Sequence, residues 1–355
     1  MTRAAAIVCL LGVAALPGFA RAQAVAITPS NRIVVAHDSV IELFAPDGQR
    51  LIWRCDGVPY VSTIAVGGTK LAAVDAIDGR AVIADLADGR GRVLETPGTP
   101  IDALFIHDDL FLLERDSDAL ERIAADGTRA KLPTGRYPQF LRRAGAKLYA
   151  YGSADGTLDE FTTAPFARGR SLAAHPFATA FELARGFAYL ACPADRRFLV
   201  FDLNSMTEVA ERAVGRFPID LALVTATDES PMGQTPFDLW VAYGKWFGQN
   251  TLGSLIPPHP VFLAVADPGR KSVFLIKCSS PIVFDRTKRL NVPTAVDRVF
   301  PSGKGWIAYD SAQQTIYTFV GKEARAVATS VGPHAFQAAN DRVVYWSGRV
   351  NVHQL

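Results

Sequence analysis

LAAVDAIDGRAVIADL, residues 71–86, holds two short apolar runs, Leu71–Val74 and Ala81–Ala84, on either side of a turn that begins at Asp75 and carries Asp78-Gly79. Short apolar runs bounded by Asp and Gly read as strands joined by a hairpin turn. The same form recurs along the chain. It appears as RIVVAHDSVIELF from Arg32, LFLLERDSDALERI from Leu110, LYAYGSADGTLDEF from Leu148 and AYLACPADRRFLVFDL from Ala188. It continues as VFLAVADPGRKSVFLI from Val261, WIAYDSAQQTIYTFV from Trp306 and VVYWSGRVNVHQL from Val343, making eight hairpins.

A second marker keeps step with the first. A Gly/Pro turn leads into an alternating strand at GVPYVSTIAV, GTPIDALFI, RYPQFLRRA, HPFATAFEL, RFPIDLALV, VPTAVDRVF and GPHAFQAAN. Each unit therefore reads as an inner strand, a hairpin, and an outer strand such as RVLET or RAKLPT. Most units are spaced by about forty residues, the period of a four-stranded propeller blade. One such blade cannot bury both faces, whereas blades stacked around an axis can, and a closed ring leaves only short edges. No run of a dozen residues sustains a 3.6-residue apolar period, so helices are not expected. The fold class is all-β, a β-propeller. The N-terminal unit, 25–55, looks complete, while 333–355 has room for three strands. If N-terminal strands complete the last blade the ring has seven blades, the expected count; if both units stand alone it has eight.

Hydrophobic residues are 49% of the 355 and charged residues 20%, enough apolar mass for a packed core. Residues 1–22 read as a signal peptide. Arg3 supplies a positive start, Ala4 to Leu16 an apolar run, and Ala20-Arg21-Ala22 the small residues before cleavage, expected after Ala22 or Ala24. The domain expected after processing is a single propeller over 25–355, periplasmic or secreted, with no later apolar run of about 20 residues to cross a membrane. Losing Arg3 and Arg21 brings the formal charge from +2 to about zero, which argues against nucleic acid and anionic membranes as partners. Cys55, Cys192 and Cys278 remain. They read as buried strand residues, with a Cys192–Cys278 bridge as an alternative.

One unit breaks the period. An insertion at about 226–260 is rich in aromatic and turn residues, and long insertions on a regular scaffold often bind. Trp240, Tyr243, Trp246 and Phe247 are the candidate ligand or partner surface; alternatively DLWVAYG is a long blade strand and Trp246 covers an edge. A second candidate is the set of polar residues after the first hairpin strand: Asp38, Asp75, Glu114, Ser153, Asp267, Asp310 and Ser347. Propeller topology brings such positions to one face. Asp75, Glu114, Asp267 and Asp310 are there the candidate oxygen ligands of a divalent metal such as calcium. The competing reading is turn chemistry, in which their side chains bond nearby backbone groups. No HExxH, GxSxG, Walker or CxxCH motif occurs, and the 6 histidines are scattered singly.

The recurring Gly/Pro turn, alternating strand and Asp-containing hairpin resemble the YVTN and NHL-type propeller repeats of secreted bacterial proteins. LAAVD, LYAYG and WIAYD stand where the YVTN tetrapeptide would. The resemblance implies a fold shared by binding scaffolds, lactonases and propeller subunits of quinone-dependent dehydrogenases. The leading expectation is an exported scaffold that binds a protein partner or small ligand, without catalysis. The alternatives are a metal-assisted hydrolase of lactonase type and the propeller subunit of a periplasmic dehydrogenase.

Overall fold

Each of the eight hairpins is a pair of antiparallel strands in the computed structural model, which describes residues 23–225, 261–280, 283–302, 305–320, 323–339 and 342–355. The signal-peptide reading (1–22) and the insertion (226–260), with Trp240, Tyr243, Trp246 and Phe247, lie outside the described residues.

Strands follow one another as antiparallel meanders. The first sheet is β1 (Ala24–Ile27), β2 (Ile33–His37), β3 (Val40–Phe44) and β4 (Leu51–Asp56). The second is β5 (Val61–Val66), β6 (Lys70–Asp75), β7 (Arg80–Asp85) and β8 (Gly91–Glu95). The third is β9 (Pro100–Ile106), β10 (Asp109–Glu114), β11 (Ala119–Ile123) and β12 (Arg129–Pro133). The fourth is β13 (Pro138–Ala144), β14 (Lys147–Gly152), β15 (Thr157–Thr163) and β16 (Phe166–Ala173). The fifth is β17 (Ala180–Ala184), β18 (Phe187–Cys192), β19 (Arg197–Asp202) and β20 (Thr207–Ala213). Two further meanders are β21 (Asp220–Thr225), β22 (Val261–Asp267), β23 (Ser272–Ser280), β24 (Val283–Asn291), and β25 (Arg298–Ser302), β26 (Gly305–Asp310), β27 (Thr315–Val320), β28 (Glu323–Ala328). A single parallel bridge, Asn291 to Glu323, joins these two into one eight-stranded sheet. The chain ends in a three-stranded sheet, β29 (Phe336–Ala339), β30 (Arg342–Trp346) and β31 (Val350–Gln354).

The first strand of each meander packs on the first strand of the next: β1 on β5, β5 on β9, and so on through β13, β17, β21, β25 and β29. β29 in turn packs on β1, and the amide of Val25 donates to the carbonyl of His334 at 2.9 Å. Core clusters lie between neighbouring meanders rather than within them. Leu71 and Ala73 of β6 point into a cluster with Val34 and Ile41, while Ala72 and Val74 point the other way, into one with Phe105 and Leu110. Successive side chains of a strand face opposite sides, so a strand stacked on both sides reads as a continuous apolar run. That is why β6, β10, β14 and β18 end in five consecutive buried residues. The cluster closing the ring joins Val25, Ile33 and Val35 to Ile307, Tyr309, Phe336, Val343 and Trp346.

Cys192 and Cys278 are buried strand residues and Cys55 is half-buried. Cys192 is a free thiol, so the alternative Cys192–Cys278 bridge is not formed in this structure, and burial pushes its pKa up to about 12.

Candidate functional site: the capped end and the axial wall

Because the strands of a meander are antiparallel, the turn between second and third strands and the link to the next first strand share one end of the sheet. Here stand the carboxylates singled out as candidate metal ligands. Asp75 Oδ2 accepts from the amide of Tyr60 at 3.0 Å, and its Oδ1 from the amides of Ile77 and Asp78 at 2.9 Å. Asp267 accepts from the amides of Arg216 (2.6 Å) and Phe217 (3.1 Å), and Asp310 from that of Gln313 (3.0 Å). Glu114 Oε2 takes Ser117 Oγ at 2.7 Å and Lys131 Nζ at 2.6 Å, while its Oε1 is buried without a hydrogen-bond partner.

The aspartates thus hold the turns and links of this end, which we call the capped end, as short acidic side chains do at turns. Of the other members, Asp38 meets His37 Nδ1 at 3.3 Å, Ser153 accepts an amide through its carbonyl, and Ser347 Oγ accepts from Asn351 Nδ2 at 2.9 Å. Among the described residues no group of three or more His, Cys, Asp or Glu side chains is placed to hold a metal ion.

A different set of charges converges along the first strands. Asp102 of β9 accepts from the Leu141 amide of the next meander (2.9 Å) and from Arg142 Nη1 (3.1 Å). Arg142 of β13 then reaches Glu182 of β17, Nε to Oε1, at 3.3 Å. Further round, Asp220 of β21 accepts from the Val299 amide of β25 at 2.8 Å, and Arg298 Nη1 donates to the Pro333 carbonyl at 3.2 Å. One arc therefore crosses five successive first strands with three carboxylates and two guanidiniums, ending at the link before β29 where His334 lies.

Burial sets the electrostatics of this arc. It raises Asp102 and Glu182 above their usual values even though Arg142 opposes it in both. The two carboxylates in turn hold Arg142 above its usual value against its own burial. Burial, with a smaller push from Glu182, lifts Asp220 to about 7, although the Val299 amide and Arg298 pull it down. His334 exposes surface at the mouth, yet crowding by protein and the charge of Arg298 lower its imidazole to about 4. Such perturbed groups gathered on one wall mark a candidate site. Chemically the wall offers paired hydrogen-bonding charges and a carboxyl that changes protonation near neutrality.

No residue of this arc was singled out from the sequence. The available signal was a charge recurring in otherwise apolar first strands, in PIDALFI, PQFLRRA, AFELA and DLALVT. A separate cleft of about 400 Å³ lies at the other end of the sheets, between the second and third, lined by Lys70, Asp85, Arg92, Phe105 and Asp108. Thr225, where β21 ends, and Val261, where β22 begins, lie at that same end.

No family model and no curated protein matches the sequence. Solved structures do match. BamB from Moraxella catarrhalis aligns at 12% identity with a TM-score of 0.60, over 93% of this chain and 96% of that one. The Cps50 (Swd1) β-propeller domain of Myceliophteria thermophila aligns at 11% identity and TM-score 0.53, over 95% and 97%. The chain is a β-propeller. Dihydro-heme d1 dehydrogenase NirN, solved in complex with DHE, matches at 11% identity and TM-score 0.61, over 88% of this propeller and 66% of that chain. In all, 909 solved chains match, so the likeness specifies an architecture rather than a chemistry. The neighbours support a propeller fold, and none of the comparisons points to the YVTN or NHL repeat type. Among the described residues no helix is long and apolar enough to cross a membrane.

Proposed function

We propose that this propeller is an exported, non-catalytic binding scaffold that takes a small polar ligand at the axial wall near the capped end. The observation that carries the reading is the arc Asp102–Arg142–Glu182–Asp220–Arg298. Charges half-withdrawn from water on facing strands cost free energy unless a partner completes their hydrogen bonding, and side chains lining the axis of a ring are open to a ligand from its mouth. Eight blades are favoured over seven because the N-terminal and C-terminal sheets each contribute their own first strand, β1 and β29, to the ring. Removal of residues 1–22, a single domain carrying an insertion at 226–260, and a periplasmic or secreted location belong to the same proposal.

The test is the mature protein purified from periplasm under non-denaturing conditions, with its N-terminus sequenced, its metals measured and its mass taken in native and denatured form. The expected result is a chain starting after Ala22 or Ala24, and a small-molecule mass adduct that disappears in Arg142→Gln and Asp220→Asn. An adduct retained by both variants would sink the axial reading. A stoichiometric divalent metal lost on replacing Asp75 and Asp267 by Asn would instead favour the calcium-holding, hydrolase-type alternative.

A further inference from the structure

The capped end carries a second feature that lies outside the axial wall. Four of its links place a bulky aromatic in solvent beside a proline, Pro59-Tyr60, Tyr137-Pro138, Pro176-Phe177 and Phe217-Pro218, and the last three follow one another round the ring. Tyr137 is 42% exposed, Phe177 60% and Phe217 43%, and they occupy successive links, those entering β13, β17 and β21. Tyr137 and Phe177 moreover sit at φ 53° and φ 61°. The left-handed region costs a bulky side chain about 1 kcal/mol or more, and a solvated turn offers many residues better suited to it.

Both signs of charge occur on this sector, and the cations are the less engaged. Arg136, Arg216 and Lys271 are exposed, and none makes an ion pair among the described residues. The acids of the same turns are already engaged. Asp118 accepts from the Tyr137 amide at 2.6 Å, Asp155 from the Arg136 amide at 2.8 Å, Asp267 from those of Arg216 and Phe217, and Asp195 pairs with His175 at 2.6 Å. What this end offers a partner is therefore aromatic faces alternating with uncommitted cations. Arg115 already lies over the Tyr137 ring at 5.1 Å, which keeps that ring in place for a visitor.

We propose that the capped end across β13–β24 docks an extended acidic segment of a partner protein, with Tyr137, Phe177 and Phe217 receiving its apolar side chains and Arg136, Arg216 and Lys271 its carboxylates. A polypeptide fits better than an anionic bilayer. Discrete carboxylates can select the cations and avoid the capping acids, whereas a continuous anionic sheet would press on both signs of charge at once. Aromatic and Arg side chains are also the residue types that dominate binding at protein interfaces.

The test uses the mature full-length protein and a short fluorescein-labelled peptide alternating Glu with Phe and Leu, read by fluorescence anisotropy. Its Lys-for-Glu counterpart and phosphatidylglycerol vesicles serve as competing probes. The acidic peptide should bind, weaken as salt is added, and lose at least about tenfold in affinity both in R136E/R216E and in Y137S/F177S/F217S. Thermal melts should show the exposed-site variants folded, and Phe177→Ser alone supplies a milder variant. Asp220→Asn should bind the peptide as the parent does, which separates this surface from the axial wall. Failure of the acidic peptide to bind, equal binding of the Lys peptide, or indifference to both sets of substitutions overturns the proposal. So does vesicle binding with the same sensitivity to substitution, which would assign the patch to a membrane surface.

Discussion

The second strands of the meanders and the first strands are neighbours in every sheet, yet they are built on different chemistry. Second strands such as β10 (DLFLLE) and β14 (KLYAYG) are buried through five consecutive positions, because the adjacent sheets cover both of their faces. First strands such as β9 (PIDALFI) and β13 (PQFLRRA) are mostly half-buried and carry Asp102 and Arg142. The difference teaches where this architecture permits variation. A second strand must supply apolar volume to two interfaces at once, so its composition is dictated by stacking. A first strand has one edge hydrogen-bonded within its sheet and the other toward the axis, where polar side chains can be satisfied by a neighbouring first strand or by a ligand.

The contrast can be broken most forcefully at Phe111 of β10. It is buried and meets Phe166 of the next sheet edge to face, with ring centroids 5.7 Å apart. Phe111→Ala should cost about 3 to 5 kcal/mol, as large-to-small core replacements do, read as a fall in the urea midpoint at unchanged slope. A loss under about 1 kcal/mol would mean that second strands do not dominate inter-sheet cohesion.

A first-strand charge should act differently, through pH rather than volume. Asp220 is raised from 3.8 to about 7, so the folded form binds more protons than the unfolded one between those values. Stability from this group is fully present below the lower value, declines as pH rises through the window, and is lost above about 7. Asp220→Asn removes that slope while leaving an oxygen to accept from the Val299 amide. Compared with the parent, the variant should gain about 1 to 3 kcal/mol between pH 4.5 and pH 8, allowing for water at this half-buried site. Chemical denaturation at the two pH values measures it, and a difference that does not change with pH would remove Asp220 from the account of the axial wall.

The smallest effect belongs to the outermost strands, which sharpen the comparison by lacking both demands. Val93 of β8 is 59% exposed. Val93→Thr should move stability by no more than about 0.5 kcal/mol, and a larger loss on thermal melting would show that this outer strand packs on something in solution.

The hairpins were legible because their pattern is local: an apolar run, an acid, a tight turn and a second run cannot be read as helix, and the repeat gives the period. The turn-capping role of Asp75 and Asp267 was legible as one of two readings, since an Asp at a strand end bonds nearby amides whether or not a metal is present. The axial arc was not legible. Asp102 and Arg142 lie about forty residues apart, and nothing local says that a charge in one strand will meet the amide and guanidinium of the next. Equally, the exposure of Tyr137 and Phe177 was hidden, because an aromatic beside proline reads simply as the start of a strand.

By itself, then, the sequence determined the all-β class, the strand pairing and the ends at which turns lie, because these follow from side-chain alternation and short-range hydrogen bonding. Only the tertiary structure decided which first strands face one another, which charges are withdrawn from water there, and which apolar residues are left uncovered, because each depends on surfaces brought together by closing the ring between β29 and β1.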